Sequence, residues 1–344
     1  MITILALVAC SAMQPPTVQM PQLSARGIQG FGNCSFTGAT HSMTFTPGMS
    51  TTNTFTSTAD PELRKFIIYV PTNYQPQNGP YPVVYMLHGS SQTAQIAKNN
   101  TTWNHGAEVF DFIAVYPEAL SYPLVSGGMA TKWHTLGAEL QVTTTMADDV
   151  TYLRELHNTI GNHLSIDCDR IYASGFSNGG AFVKTELRIH LFDIFAATTS
   201  AGGLGLLSTM PSDFYPSDVF SFRPHFEVVG NMDGNKQAYC VNAGNLAPGQ
   251  SLPRQIANIM ATPCMWDPLT SFAEALALDP VSFSGLEQPG FTQIRWALPT
   301  LPGLGRREYR WRILPNLVHE YPSGTNYPID YVPIYYQWMM QYTR

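Results

Sequence analysis

The sequence predicts an α/β fold, a mainly parallel sheet with helices on both faces. Short β-branched and aromatic runs recur from Lys65 onward, and stretches with helical spacing separate several of them. Apolar runs of strand length with little alternation read as strands buried on both sides, which belong to parallel sheets covered by helices. Composition agrees: 44% of the 344 residues are hydrophobic, enough for a core, and only 12% are charged, against ~25% in ordinary soluble domains. Disorder driven by charge is thereby excluded. The net charge is −6 with no basic block, which excludes a nucleic-acid binder relying on a Lys/Arg stripe against phosphate.

Residues 1–30 read as a leader and tether. Ile2 to Ala9 is apolar but far shorter than the ~20 residues that span a bilayer, and it resembles the core of a secretory signal, although a basic start is missing. Leu7-Val8-Ala9-Cys10 resembles a bacterial lipobox, which would make Cys10 a lipidated first residue; an ordinary signal peptide is the other reading. The expected location is therefore secreted or anchored at the cell envelope, with contact to a membrane only through that lipid. If Cys10 is lipidated, Cys34, Cys168, Cys240 and Cys264 remain. Four cysteines allow three pairings, and an oxidising compartment favours bridges. Cys240 and Cys264 share one loop-rich stretch, which favours that pair. No C-x-x-C and no clustered His ligands occur, so no metal site is expected.

The catalytic-domain candidate is 31–344. Its first segment is Thr-rich and predicts an edge hairpin turning at Pro47-Gly48. The buried strands expected next are Phe66–Val70, Val83–Leu87, Phe112–Tyr116, Ile171–Ala173, Phe195–Thr198 and Phe226–Val229, with Tyr309–Leu314 as a more alternating last strand. Val150, Leu153, Leu156, Ile160 and Leu164 line one face of a helix that Asp148 or Asp149 would cap. Residues 240–300 break the rhythm with Pro and Gly and one helical piece, Thr270 to Leu278. They read as a loop-rich insertion before the last strand, a lid over the sheet.

The most informative stretch is Arg170-Ile-Tyr-Ala-Ser-Gly-Phe-Ser-Asn-Gly-Gly180. A strand enters Gly175-Phe-Ser-Asn-Gly179 and a helix leaves it, the arrangement of a nucleophile elbow. The serine must sit in a strained tight turn so that its hydroxyl stands above the sheet, and flanking glycines avoid Cβ clashes there. The helix start directs N–H groups at developing negative charge. Ser177 is thus the candidate nucleophile.

Met86-Leu-His-Gly-Ser-Ser-Gln-Thr93 ends an apolar strand where this architecture supplies one oxyanion donor; the other is the N–H after the nucleophile. The backbone of Ser90 and of Asn178 are the assigned donors, with Ser91 as fallback, and His88 shapes the turn. Asp233 lies just past the strand Phe226–Val229, and His319 follows the last strand. The chain order Ser177, Asp233, His319 is that of α/β-hydrolases. Asp213, Asp218, Asp267 and Asp279 also fall between nucleophile and base, but none directly follows a buried strand. His157 and His163 read as residues of the helix after Asp149, and His134, beside Trp133, as a residue that could line a cleft.

With these motifs in place, the chain resembles the secreted polyhydroxybutyrate-depolymerase-like and feruloyl-esterase-like serine esterases of carbohydrate esterase family one. The resemblance rests on Pro82–Ala94, Asp148-Asp-Val150, Asp167–Gly180, Gly230-Asn-Met-Asp233 and Val318-His-Glu-Tyr-Pro322. It implies an α/β-hydrolase fold, ester substrates (polyester oligomers or acylated carbohydrate) and no cofactor or metal. It places nucleophile, acid and base on Ser177, Asp233 and His319, and puts Trp133 on the acyl pocket. Two departures bear on substrate: family members often have Gly before the histidine and Trp-Pro after it, and a G-T-x-D acid motif. A monomer is expected, and the lack of an evident substrate-binding domain tips the substrate slightly towards small or soluble esters. A depolymerase-like esterase leads, a feruloyl or acetyl esterase for plant polysaccharide is the alternative, and a binding protein that only keeps the fold is the third.

Overall fold

The computed structural model describes residues 35–135, 137–203, 223–235, 255–301 and 305–344. The leader with Cys10, and Cys34, Asp213, Asp218 and Cys240, lie outside them; so, therefore, do the expected lipidation and the Cys240–Cys264 pair.

The described strands are β1 (Ser50–Thr56), β2 (Leu63–Tyr69), β3 (Tyr81–Leu87), β4 (Ile113–Glu118), β5 (Ser121–Pro123), β6 (Met129–Thr131), β7 (Ile166–Phe176), β8 (Ala197–Ala201), β9 (His225–Gly230), β10 (Ser284–Gln288), β11 (Phe291–Leu301) and β12 (Gly305–Leu314). One sheet takes ten of them in the order β1-β2-β4-β3-β7-β8-β9-β12-β11-β10, and β5 and β6 pair separately. From β4 to β12 every neighbouring pair is parallel. Antiparallel strands close both edges.

All residues of β3, β8 and β9 are buried, because helices cover both faces. Val84 and Met86 of β3 enter one core with Trp103 and Ala107 of α2 (Trp103–Phe110) and Val332 and Tyr335 of the C-terminal helix Tyr331–Met339. Val83, Tyr85 and Leu87 point the other way, against Leu153, Leu156 and Ile160 of α3 (Asp149–His163) and Phe182 and Leu187. Alternate side chains thus feed opposite layers, as the pleat requires. No described helix is long and apolar enough to cross a membrane.

Two expectations are corrected. The predicted hairpin has its turn, with a bridge between Thr46 and Met49, but no first strand. The Asn53 side chain accepts from the Thr44 N–H at 2.7 Å and donates to the Thr44 carbonyl at 2.9 Å, so that backbone is satisfied without a ladder. β1 pairs instead with β2, from Ser50 opposite Tyr69 to Thr56 opposite Leu63.

The second correction concerns the expected insertion at 240–300, of which 240–254 lie outside the described residues. Residues 255–301 extend the sheet: β10 and β11 add to its edge beyond β12, with Trp296 opposite Tyr309. After α1 (Ala94–Asn100), α2, α3, α4 (Asn178–Phe182) and α5 (Arg188–His190), helices α6 (Gln255–Met260) and α7 (Pro263–Ala275) precede that hairpin, and Tyr331–Met339 is α8. Met265, Leu269 and Phe272 of α7 pack on Trp296, Tyr309 and Trp311. The prolines do not break this helix: Pro263 occupies the first turn, where no N–H is needed, and Pro268 is tolerated inside.

Asp148 is the cap of α3, accepting from the Thr151 N–H at 2.9 Å. Asp149 has another task. It meets Arg64 of β2 at 2.8 Å, both side chains fully buried, and accepts from the His134 N–H at 2.7 Å. Arg64 also lies 4.4 Å from the centre of the Tyr152 ring. Arg64 Nε also meets Asp60 at 3.1 Å, so Asp149→Ala leaves the guanidinium one carboxylate partner and should cost about 1–3 kcal/mol in urea unfolding. A loss below about 1 kcal/mol would show that the pair does not tie β2 to α3.

Candidate active site

β7 delivers Ser177 at its end, and α4 begins at the next residue. Ser177 has φ 52° and ψ −117°, a strained conformation for a residue with a side chain. Its N–H donates to the Ala201 carbonyl at 2.9 Å, and its carbonyl accepts from Ala181 at 2.8 Å. The glycines follow from crowding. A Cβ on Gly175 would overlap the Gly179 carbonyl, and one on Gly179 would overlap the carbonyls of Leu87 and His88. The elbow and the His88 turn thus touch backbone to backbone.

Asp233 sits three residues past β9, and His319 five past β12. Three hydrogen bonds join these two loops: Asn231 N–H to Leu314 O at 3.0 Å, Met232 N–H to Leu317 O at 3.1 Å, and Asn316 N–H to Asn231 Oδ1 at 2.7 Å. Asn231, which stands where the family pattern has Thr, is therefore a strut for the base loop. The Asp233 side chain is buried, and its Oδ2 lies 2.8 Å from His319 Nδ1. His319 Nε2 lies 2.9 Å from Ser177 Oγ. A carboxylate only accepts, so Nδ1 carries the imidazole proton and Nε2 accepts from the serine hydroxyl. Asp267 lies in α7, and Asp279 accepts from Val281 N–H; neither reaches His319.

Sequence reasoning missed three supports. Gly202, at φ 61°, lies against the imidazole, and a Cβ there would stand 3.0 Å from His319 Cε1. Its Gly202-Gly203 pairing after a strand was the available signal. Tyr321 turns inward two residues after His319; its hydroxyl meets Ser174 Oγ at 2.9 Å and accepts from Trp103 Nε1 at 3.1 Å. Thr199 Oγ1 donates to the same Ser174 Oγ at 2.9 Å. This buried network ties the base loop to the strand carrying the nucleophile. Lys132, largely buried, donates to Ser90 Oγ at 3.1 Å and brings a positive charge to the His88 turn.

In that turn the Ser91 N–H donates to Thr131 O at 3.0 Å, and the Gly89 N–H to Gln92 Oε1 at 3.0 Å. The fallback donor Ser91 is thus committed elsewhere, while Ser90 keeps its N–H. His88 has the structural part expected of it. Its Nε2 accepts from Ala119 N–H at 3.0 Å, which leaves Nδ1 to donate to Gly89 O at 2.8 Å. Trp133, which the resemblance puts on the acyl pocket, is fully buried and belongs to the wall of neither cavity described below. Its indole N–H donates to His88 O at 2.9 Å, and its backbone N–H to Asn178 Oδ1 at 2.7 Å. It braces the two turns that carry the candidate oxyanion donors. His134 lines a cavity of about 440 Å³ that includes none of Ser177, Asp233 and His319.

Burial pushes the imidazoles of His88 and His157 down to about 4. The unfolded chain, with ordinary histidines near 6.5, binds more protons in this range, so stability is full above about pH 7 and falls as pH drops from about 6.5 toward 4. Urea unfolding at pH 8, 6 and 4.5 should show that decline, and His157→Gln should make it shallower. A stability profile flat down to pH 4.5 would contradict the assignment.

Residues 57–183 match the model of a family described as putative esterase. Over 119 residues the chain is 29% identical to a bifunctional acetylxylan esterase/xylanase from Neocallimastix patriciarum, covering 35% of this chain and 15% of that protein. Over 123 residues it is 32% identical to poly(3-hydroxyalkanoate) depolymerase C of Paucimonas lemoignei, covering 36% and 28% respectively. The matches thus span less than a third of either relative. Among solved structures, an S-formylglutathione hydrolase from Agrobacterium tumefaciens superposes with a TM-score of 0.51 at 16% identity, over 87% of this chain and 97% of that one. The chain therefore has an α/β-hydrolase fold, and its residues 57–183, from before β2 through the nucleophile elbow, carry the sequence pattern of the putative-esterase family.

Proposed function

We propose that this protein is a serine hydrolase of carboxylic esters working through an acyl-enzyme at Ser177. The observation that carries the reading is the hydrogen-bonded line Ser177–His319–Asp233 with the serine held at φ 52°. His319 Nε2 takes the hydroxyl proton as Ser177 Oγ bonds to the ester carbonyl carbon. Asp233 fixes the tautomer and stabilises the imidazolium. The N–H groups of Ser90 and Asn178 hold the oxyanion, with the Lys132 charge nearby. The tetrahedral adduct collapses, the C–O bond to the alcohol breaks, and Nε2–H protonates the leaving oxygen. Water, giving its proton to His319, then attacks the acyl carbon; the bond to Ser177 Oγ breaks, Nε2–H returns its proton to Oγ, and the acid leaves.

The substrate reading is depolymerase-like ester hydrolysis, with acylated plant polysaccharide as the alternative; the names of the two sequence relatives support one each. Export, with Cys10 as lipid site, rests on the leader alone. A protein that only binds would have no need of an aligned triad.

Ser177→Ala should fold, resist labelling by a fluorophosphonate and lose on the order of 10⁶ in kcat on a short-chain ester. Near wild-type activity in that variant would overturn the mechanism, and labelling without turnover on any ester would favour a binding protein. Asp233→Asn should lower kcat by roughly 10³–10⁴ with little change in Tm. Tyr321→Phe, which leaves packing intact but unties the base loop, should lower kcat about 10- to 100-fold with KM within about twofold. A shift confined to Tm would reduce Tyr321 to a core residue.

A further inference from the structure

A cavity of about 420 Å³ has in its wall His319 and Phe176, the residue before Ser177. These two rings lie 4.9 Å apart, and the walls also include Gln92 beside the oxyanion turn and Asn100 at the end of α1. Asn326 and Glu320 close it from the base loop. If the esterase reading holds, its chemistry says which half of an ester belongs here. The imidazole must hand its proton to the leaving oxygen, so the alcohol departs within hydrogen-bond reach of Nε2. The carbonyl oxygen is held elsewhere, between the two backbone donors.

The charge of this cavity is one-sided. Its lining contains no Lys or Arg, its amides and hydroxyls are neutral, and Glu320 is its one carboxylate. Glu320 is exposed and forms no ion pair among the described residues. It is also the residue directly after the base. We propose that the cavity is the leaving-group subsite and that Glu320 makes it a charge filter. Esters of neutral or cationic alcohols enter it without penalty. Esters whose alcohol half carries a carboxylate meet a like charge and no counter-charge in the cavity lining. The inference rests on the esterase reading and adds to it a substrate class: neutral hydroxylated alcohols, as against short hydroxy-acid oligomers that end in a free carboxylate.

The test uses two acetate esters of nearly equal shape, O-acetyl-3-hydroxybutyrate and O-acetyl-3-hydroxybutyramide, with the whole protein at pH 7.5. The quantity read is the ratio of kcat/KM, amide over acid, which cancels effects common to both substrates. Two unit charges several Å apart in a solvated cleft are worth about a fivefold change. The wild-type ratio should therefore fall about fivefold in Glu320→Gln at 10 mM salt, and should fall in the wild type as salt is raised to 0.5 M. Glu274→Gln, on α7, makes the same change in net charge and should leave the ratio alone. The filter is refuted if Glu320→Gln leaves the ratio unchanged, or if Glu274→Gln moves it equally, which would make the effect one of total charge. If neither ester is cleaved faster than by Ser177→Ala, while a short-chain chromogenic ester is, the cavity does not accept such alcohols and the subsite assignment fails. If the chromogenic ester is not cleaved either, the esterase reading itself is lost.

Discussion

The site depends on one close approach of backbone to backbone. The elbow around Ser177 presses against the turn after β3 so tightly that Gly179 has no room for a side chain beside the carbonyls of Leu87 and His88. A serine at φ 52° is held only where its surroundings over-determine it. Here they do. The parallel pairing of β3 with β7 fixes the spacing of the two turns, and the Ser177 N–H is tied to β8. Trp133 then holds both turns from beneath, one through its indole and the other through its backbone. The strain that lifts the hydroxyl and the proximity of the two candidate oxyanion donors therefore have a common cause.

The acid and base loops solve a different problem, since neither belongs to a regular element. They are made stiff by each other. Asn231 bridges to Asn316, and Met232 to Leu317, before Asp233 and His319 come face to face. Tyr321 ties the base loop to the nucleophile strand through Ser174. The result is a side-chain line of 2.8 and 2.9 Å spanning three segments far apart in sequence. Two departures from the family pattern fall within this scaffold, Asn231 and Tyr321. They alter how the loops are held and leave the line Ser177–His319–Asp233 in place.

Buried charge plays a parallel structural part. Arg64–Asp149 links β2 to α3, and Lys184–Glu227, at 2.7 Å, links the helical stretch after Ser177 to β9. In a chain so poor in charge, several of its ion pairs are spent inside. A pairing of this kind is invisible to a periodicity argument, because Arg64 and Asp149 each look like ordinary polar residues at element ends.

What could be read from the sequence was local. The apolar runs announced the parallel strands because burial on both faces removes alternation. Gly175-Phe-Ser-Asn-Gly179 announced the elbow because its steric demands act within five residues. Asp233 and His319 were legible through their places after strands. The tertiary structure decided whatever depended on pairing. β1 joined β2, while the segment before it is held by the Asn53 side chain, and the prolines of 263–268 stood in a helix whose apolar face meets Trp296, Tyr309 and Trp311. Trp133 faced inward, against the His88 turn, where its indole N–H donates to a buried carbonyl. Short-range sterics are written in neighbouring residues, whereas the partner of a hydrogen bond or an apolar face is chosen only when distant segments meet.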